Sequence, residues 1–252
     1  MTLNTISFVS GFTGLIIVTS AWLISFYLFT IYAKSRSAQT IGLAGLSFCY
    51  GGPWFGLTIN FILTMLNMDV LDDLFYMFFS SLWIFSLPFS LYITASFLKP
   101  RWVKPLVLIS STLTIIFAFL IYILVPLEFV AIEDVFIATP AETGGLPDAS
   151  FLGILRLFLV VIIVADILCG IFFLYFGLKT QIPLAKARAL PLGIALTMFG
   201  CFAVLDGTWD FDSEFILVFV RCMLIIALTF LYIGITLPRF IFDRWGIERP
   251  SL

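Results

Sequence analysis

The sequence contains no histidine and little charge of either sign. Of its 252 residues only 11% are Asp, Glu, Lys or Arg, whereas 62% are hydrophobic. A soluble domain carries about 25% charged residues, because its surface has to face water. This composition cannot cover such a surface, so it predicts an integral membrane protein. The missing histidine also removes the usual ligands of haem, copper and most zinc sites, and we expect neither a cofactor nor a metal.

Cysteine is scarce as well, and none of it stands in a C-x-x-C spacing. All four cysteines lie inside apolar runs, where free cysteine behaves as a small buried hydrophobe. We therefore predict buried thiols, with a disulfide or a metal role as the alternative. The four are Cys49, Cys169, Cys201 and Cys222.

What the sequence has in abundance is apolar windows long enough to cross a bilayer. The first is too long for a signal peptide and lacks a basic region before it, so we interpret it as a retained span. No strand-like alternation of apolar and polar residues occurs. We predict an all-α integral membrane protein, a single seven-transmembrane-helix bundle over residues 1–252, with "YGGPWFG" around Pro53 kinking the second helix. The predicted spans are 6–32, 41–66, 71–98, 106–127, 150–178, 189–206 and 214–237.

Basic and acidic residues are segregated along the chain. Eleven of the thirteen Lys and Arg residues lie in the first, third and fifth connections or after the seventh span. The other connections carry most of the acidic residues and no Lys or Arg. Since basic loops stay in the cytoplasm, we predict an outside N-terminus and a cytoplasmic C-terminus in the plasma membrane. The tail 239–252, "LPRFIFDRWGIERP" and onwards, is typical of interfacial anchoring, or of docking to a cytoplasmic partner.

Only three charged residues, Arg156, Asp166 and Arg221, lie clearly inside predicted spans. Such residues are costly in hydrocarbon and usually face the bundle interior. Arg156 and Asp166 are ten residues apart in one helix, which separates them by about 15 Å along the axis, so they cannot pair with each other.

Arg156 and Arg221 lie at the same predicted depth, about two turns from the outer ends of their spans. Asn60 and Tyr76 come out at a similar level. Two guanidinium groups at one depth suit a carboxylate or phosphate, and we predict an outer pocket in which Arg156 and Arg221 hold a polar or anionic ligand oriented by Asn60 and Tyr76.

Two alternatives to this pocket stay open. Arg156 or Arg221 can extend its side chain to the outer headgroups. Either can instead form a structural ion pair, for which the candidate partners are Glu214 and Asp206.

Asp166 stands near the middle of the fifth span, and no basic residue lies at its depth in another span. A buried carboxyl group without a cationic partner favours its neutral form. We expect it to hydrogen-bond Thr197, Thr229 or a backbone carbonyl. It is either a structural polar group or an intramembrane proton or ion site.

The connection between the fourth and fifth spans, "LEFVAIEDVFIATPAETGGLPDAS", is the only long one among the predicted connections. Its acidic residues predict a solvated connector. A lid over the outer pocket and a weak divalent-cation patch are the alternatives, although no EF-hand spacing supports calcium. Five carboxylates occur in it: Glu128, Glu133, Asp134, Glu142 and Asp148.

The stretch "SLPFSLYITASFLKPRWVKPLVL" resembles the third span and following cytoplasmic turn of the seven-helix sensor region found ahead of prokaryotic histidine kinases and cyclases. "LYIGITLPRFIFDRW" is similar to that region's exit from its seventh span. The resemblance implies a sensor module, and since no output domain follows the seventh span we expect it to signal through another protein. Microbial rhodopsins are excluded, because they hold retinal on a lysine of the last span and every lysine here lies in a connection.

Together these observations predict a non-catalytic sensor or receptor-like module that binds a small polar or anionic ligand. The expected partners are the lipid bilayer and a cytoplasmic or membrane protein that contacts the basic loops and tail, and not a nucleic acid. One alternative is a small transporter or ion-coupled carrier using Asp166, and another is a non-catalytic subunit of a larger membrane complex. An enzyme is not expected, because the spans contain no histidine and no clustered carboxylates.

Overall fold

The computed structural model describes residues 3–98, 100–139, 146, 148–208 and 214–237, without the side chains of 98, 137–139, 148–150, 207, 208 and 214. Within these ranges the chain forms nine α-helices and one two-stranded sheet. They are α1 Thr5–Ser35, α2 Ala38–Tyr50, α3 Phe55–Met65, α4 Asp73–Ser80, α5 Ser86–Leu98, α6 Val103–Phe119, β1 Phe136–Thr139, β2 Asp148–Phe151, α7 Gly153–Lys179, α8 Pro183–Thr208 and α9 Glu214–Thr236.

Six helical segments are long and apolar enough to cross a membrane, which confirms the prediction of a helical, multi-pass membrane protein. The third of these segments, Pro100–Leu124, joins α6 to a π-helical turn, Leu120–Leu124. The second predicted span is broken: α2 ends at Tyr50, a short 3₁₀ turn covers Gly52–Trp54, and α3 begins at Phe55. Pro53 has no N–H to donate inside a helix, so the ladder of hydrogen bonds stops there.

The third span is interrupted as well, by a 3₁₀ segment over Ser81–Phe85 between α4 and α5. The two 3₁₀ segments pack against each other, and Gly52 makes this possible. A Cβ atom on Gly52 would lie 2.7 Å from the backbone nitrogen of Trp83, which is closer than real Cβ atoms approach. Two adjacent spans are therefore interrupted at one place.

The fourth connection forms a β-hairpin that the sequence did not predict. β1 and β2 are antiparallel, with Phe136 opposite Phe151. Residues 150 and 151, assigned to the fifth span from the sequence, belong to β2. Helix α7 begins only at Gly153, where the backbone turns with φ of 50°. The membrane part is helical as predicted, and the hairpin is added to it.

The helices form a closed ring in chain order. α1 packs against α2, α3 and α9; α2 against α5; α5 against α7; and α8 lies between α7 and α9. Helix α6 lies outside this ring against α5, and only 17% of its apolar window is buried. Its exposed face includes Leu108, Ile109 and Ile115, and it forms an apolar groove of about 320 Å³ with the start of α7. Lipid is the solvent that suits such a surface.

Two of the cysteines differ from their predicted burial. Cys49 and Cys169 are buried, whereas Cys201 and Cys222 are exposed on α8 and α9. The apolar residues around an exposed cysteine face lipid here, so an apolar run did not indicate an interior position.

The two ends of the ring are distinguished by charge. We call the end that holds the 66–72 connection, the hairpin, the last turn of α8 and the start of α9 the acidic end, and the end that holds the α1–α2, α5–α6 and α7–α8 connections the basic end. Contacts such as the Leu146 N–H donated to Ser7 Oγ at 3.0 Å join the start of α1 to the hairpin connection at the acidic end. The tail 239–252 lies outside the described residues.

Candidate functional site

Asp166 is at the midpoint of α7 and is 3% exposed. Its Oδ1 accepts a hydrogen bond from Ser90 Oγ at 2.5 Å, and its Oδ2 accepts one from Tyr50 OH at 3.0 Å. Ser90 lies in α5 and Tyr50 is the last residue of α2. One buried carboxyl group therefore joins three helices of the ring.

Tyr50 reaches Asp166 because α2 stops there. The residue directly precedes the Gly51–Gly52–Pro53 break, and its ring stacks on Phe199 of α8 with centroids 3.9 Å apart. The stacking fixes the ring, and the phenolic O–H then points at the carboxyl group.

The predicted hydrogen-bond partners of Asp166 were wrong. Thr229 donates to the carbonyl of Ile225, one turn back in its own helix, and is exposed. Thr197 is packed tightly against Gly170 of α7, and its hydroxyl group has no hydrogen-bond partner among the described atoms. Tyr50 and Ser90 occupy the positions beside Asp166 because the ring places α2 and α5, not α9, against this face of α7.

A second polar cluster lies at the acidic end around Arg221 of α9. Its Nε donates to Asp206 Oδ1 at 3.1 Å, and its Nη1 donates to Thr13 Oγ1 at 3.0 Å and to the carbonyl of Ser10. Both members of the ion pair are nearly buried, with side chains 7% and 8% exposed. Asp206 also accepts from Trp54 Nε1 at 2.7 Å. The cluster joins α1, the helix break, α8 and α9.

Of the two ion-pair partners left open by the sequence, Asp206 is the one placed against Arg221. The other candidate, Glu214, has its side chain outside the described part of the structure. Asp206 therefore supplies the charge that balances the Arg221 guanidinium group.

The structure does not bring Arg156 to Arg221. Arg156 is exposed, while its neighbours Leu155 and Phe158 are 0% and 3% exposed. Each residue advances a helix by about 100°, so a residue between two core-facing positions turns outward. Arg156 stands on the lipid-facing side of α7, near the acidic end, where its side chain can reach headgroups. The prediction of a pocket built on both arginines is wrong for this reason.

Asn60 and Tyr76 are buried, but the chain itself occupies the space beside them. Asn60 Oδ1 accepts from the Leu71 N–H at 2.8 Å and so fixes the α3–α4 connection. The ring of Tyr76 packs on Phe136 of the hairpin, with centroids 5.8 Å apart. Phe136 is 2% exposed, so the hairpin fills the layer at the acidic end where the sequence predicted a ligand.

The hairpin thus acts as a cap and not as a solvated connector. Phe151 packs edge-on against Trp83 at 5.3 Å, and the Leu152 N–H donates to the carbonyl of Val135 at 2.8 Å. Its apolar side faces the ring, while Glu133 and Asp134 face outward. Among the described residues, no group of three carboxylates, cysteines or histidines is placed to hold a metal ion. Glu142 and the Asp148 side chain lie outside this description.

Sequence reasoning missed Tyr50, Ser90 and Trp54. Tyr50 and Trp54 flank the predicted kink, so polar aromatic groups beside a Gly-Gly-Pro break were an available signal. Ser90 carried no signal, because serine in a transmembrane helix usually bonds its own backbone. Comparison of the chain with family models, with curated proteins and with solved structures gives no match.

Proposed function

We propose that the protein is a receptor-like sensor of the cytoplasmic membrane, with seven spans, the acidic end outside and the basic end in the cytoplasm. The segregation of basic residues supports this orientation, since basic loops are retained inside. Single cysteines placed at residues 35 and 181 should react with a membrane-impermeant thiol reagent only after the cells are opened. A cysteine at residue 128 should react in intact cells.

The observation that supports a sensor is a continuous set of contacts from the capped acidic end to the middle of the ring. We call it the core relay: Arg221, Asp206, Trp54, Phe199, Tyr50, Asp166 and Ser90. Trp54 bonds Asp206 on one side of the helix break, and Tyr50 bonds Asp166 on the other. Both rings contact the ring of Phe199: the ring centroids are 6.0 Å apart for Trp54 and 3.9 Å apart for Tyr50.

The relay gives the break at Gly51–Pro53 a mechanical role. A broken helix bends at lower cost than a continuous one, because its backbone hydrogen bonds are already interrupted. Movement of Trp54 at the acidic end is passed through the break to Tyr50, and from there to α5 and α7. The basic connections at the other end of these helices would present the movement to a cytoplasmic or membrane protein.

In this proposal the ligand is a small polar or anionic molecule that binds beneath the hairpin, beside Asn60 and Tyr76. Binding would displace Phe136 from its place against Tyr76. The ligand shifts the ring only through unequal affinity for the capped and uncapped arrangements. Arg221 becomes available to an anion only when its pairing with Asp206 opens.

The proposal is tested without a known ligand by removing the cap. Spin labels at residues 35 and 181, in a background with Cys201→Ala and Cys222→Ala, report the distance between two basic-end connections. Phe136→Ala should change that distance distribution, because the hairpin loses its buried anchor. Phe129→Ala is the matched control, since Phe129 lies in the same connection and is 76% exposed.

A second variant separates signalling from loss of stability. Ser7→Ala removes only the acceptor of the Leu146 N–H and should shift the same distribution in the same direction, by less. An unchanged distance in both variants, in protein that remains folded, contradicts the sensor proposal.

One observation favours a second function, an ion-coupled carrier. The two interrupted spans meet close to a buried carboxyl group, and carriers build their binding sites from discontinuous helices at the middle of the membrane. In proteoliposomes, solute flux that depends on an ion gradient and is lost in Asp166→Asn would support the carrier. The sensor predicts a wild-type protein without flux.

A further inference from the structure

Asp166 lies where a negative charge has no counter-ion. Helices α2 and α5, whose side chains bond its carboxyl group, contain no Asp, Glu, Lys or Arg. In α7, Asp166 is the only such residue between Arg156 and Lys179. In α8 there is none between Arg188 and Asp206. No cation of these helices therefore balances a charge on the carboxyl group, and burial favours the neutral acid.

Three weaker acids lie near the carboxyl group. The Tyr50 phenol of α2 donates to it, and the thiols of Cys49 and Cys169 are close enough to interact with its charge. All three side chains are ordinarily neutral at neutral pH and below. Helix α5 contributes Ser90, and α8 contributes Phe199 against the tyrosine ring, and neither of these titrates. The carboxyl group is therefore the one whose charge changes here as the pH falls.

The two hydroxyl contacts favour the opposite, charged form. Ser90 Oγ donates to Oδ1 of Asp166 at 2.5 Å and Tyr50 OH donates to Oδ2 at 3.0 Å, so both carboxyl oxygens act as acceptors. Hydrogen bonds donated to a carboxylate stabilise its charge. The Ser90 distance also falls in the range of about 2.5–2.7 Å expected for an O–H bond to a charged oxygen. Burial and hydrogen bonding thus act in opposite directions on the charge of Asp166, which makes the group responsive to protons.

Protonation changes the bonds that join three helices. The proton comes from water and binds one carboxyl oxygen, which then donates instead of accepting. Ser90 can accept this bond through a lone pair and turn its own O–H to a carbonyl one turn back in its helix. The bond from Tyr50 loses its charged acceptor, and a neutral hydrogen bond is about half as strong. Proton uptake therefore weakens the attachment of α2 and α5 to α7.

We propose that Asp166 is a proton-binding site that controls the helix break at Gly51–Pro53. The carboxylate ties α2 and α5 to α7, and the protonated acid releases them, directly beside the break. The proton is an input separate from the ligand proposed beneath the hairpin. The proposal concerns the contacts of Asp166 and stands whether the module senses or carries a solute.

The test follows the carboxyl group and the helices separately, in the full-length protein in liposomes. Infrared difference spectra should show the C=O band of a protonated carboxyl group as the pH falls, and Asp166→Asn should remove that band. Spin labels at residues 35 and 181, in the background with Cys201→Ala and Cys222→Ala, should report a distance change with the same midpoint pH. Asp166→Asn carries no charge at any pH, so its distance distribution should match that of the low-pH wild type throughout.

Two further variants keep the test informative where Asp166→Asn fails to fold. Tyr50→Phe and Ser90→Ala each remove a donor to the carboxylate, so the midpoint should rise by about one pH unit. Tyr175→Phe and Ser96→Ala are the matched controls and should leave the midpoint in place. Tyr175 is exposed on α7, and Ser96 of α5 bonds its own helix.

Each readout can overturn the proposal. It fails if no band appears over the pH range in which the protein stays folded, if the band persists in Asp166→Asn, or if the distance stays constant while the band appears. A midpoint that neither Tyr50→Phe nor Ser90→Ala moves also overturns it, as does one that falls when sodium replaces choline at equal ionic strength, because a cation then competes for the carboxylate. Phe136→Ala tests the ligand proposal by itself, so the two proposals can fail separately.

Discussion

The Arg221–Asp206 ion pair allows a quantitative test of which arginine is buried inside the helix ring and which lies on its exposed surface. We consider Asp206→Asn, which keeps the shape of the side chain and an oxygen for Trp54 but removes the charge. Arginine cannot lose its proton in a protein, so Arg221 would remain charged and nearly buried. Breaking a buried pair from one side costs about 3–5 kcal/mol.

The structure favours the lower end of that range. Arg221 Nη1 keeps its bonds to Ser10 and Thr13 in the variant, so the guanidinium group is only partly deprived of partners. We therefore expect a loss of roughly 3 kcal/mol in the free energy of unfolding. The loss should appear as a lower midpoint in thermal or denaturant unfolding followed by tryptophan fluorescence or circular dichroism.

Three further variants complete this measurement. Arg156→Gln should leave the midpoint unchanged, because Arg156 is exposed. Combining Asp206→Asn with Arg221→Gln should be less damaging than the sum of the single changes, since the second change removes the unbalanced charge. If Arg156→Gln and Arg221→Gln lowered the unfolding midpoint equally, the conclusion that only Arg221 is buried would be refuted. If the effects of Asp206→Asn and Arg221→Gln on the free energy of unfolding were strictly additive, the ion pair would be refuted.

Three other predictions concern the helix break, the buried carboxyl group and the cap. Gly52→Ala should lower the unfolding midpoint strongly, because its Cβ would lie 2.7 Å from the backbone nitrogen of Trp83. Tyr50→Phe removes one donor to Asp166 and should cost about 1–2 kcal/mol in thermal unfolding. Ser7→Ala should speed hydrogen exchange in the hairpin, measured by mass spectrometry, and by more than in the ring, because the Leu146 N–H loses its acceptor at the start of α1.

Each of these predictions has a matched control in the chain. Gly51→Ala places its Cβ 3.0 Å from a Trp22 side-chain atom, which can move, and should be milder than the change at Gly52. Tyr175→Phe alters an exposed tyrosine, and Ser35→Ala an exposed serine. A control as damaging as its partner contradicts the structural reason given for that partner.

Much of the membrane architecture could be predicted from the sequence. Apolar windows of sufficient length indicate spans, since hydrocarbon cannot satisfy an open backbone. Pro53 after two glycines marked the break in the second span. The depth of Arg221 and its two candidate carboxylate partners were also accessible, because depth follows from the count of residues along a helix. That Asp206 pairs with Arg221 was shown only by the structure.

Three parts of the site were decided only by the tertiary structure. Tyr50 and Ser90 meet Asp166 through contacts between residues 116 and 76 positions apart in the chain. The hairpin enters the layer predicted for a ligand, because Phe136 has an apolar ring to bury against Tyr76. No local pattern specifies either contact.

Which side of each helix is buried also depends on the tertiary structure and not on the sequence alone. In a water-soluble protein a helix buries its apolar side, so the spacing of its apolar residues in the sequence indicates which side is buried. In a bilayer the lipid tails are as apolar as the protein interior, so a helix such as α7 is hydrophobic all round. The sequence determined that Arg156 and Asp166 lie within one span and at which depths. Only packing against α5 and α8 decided that Asp166 faces the ring and Arg156 faces lipid.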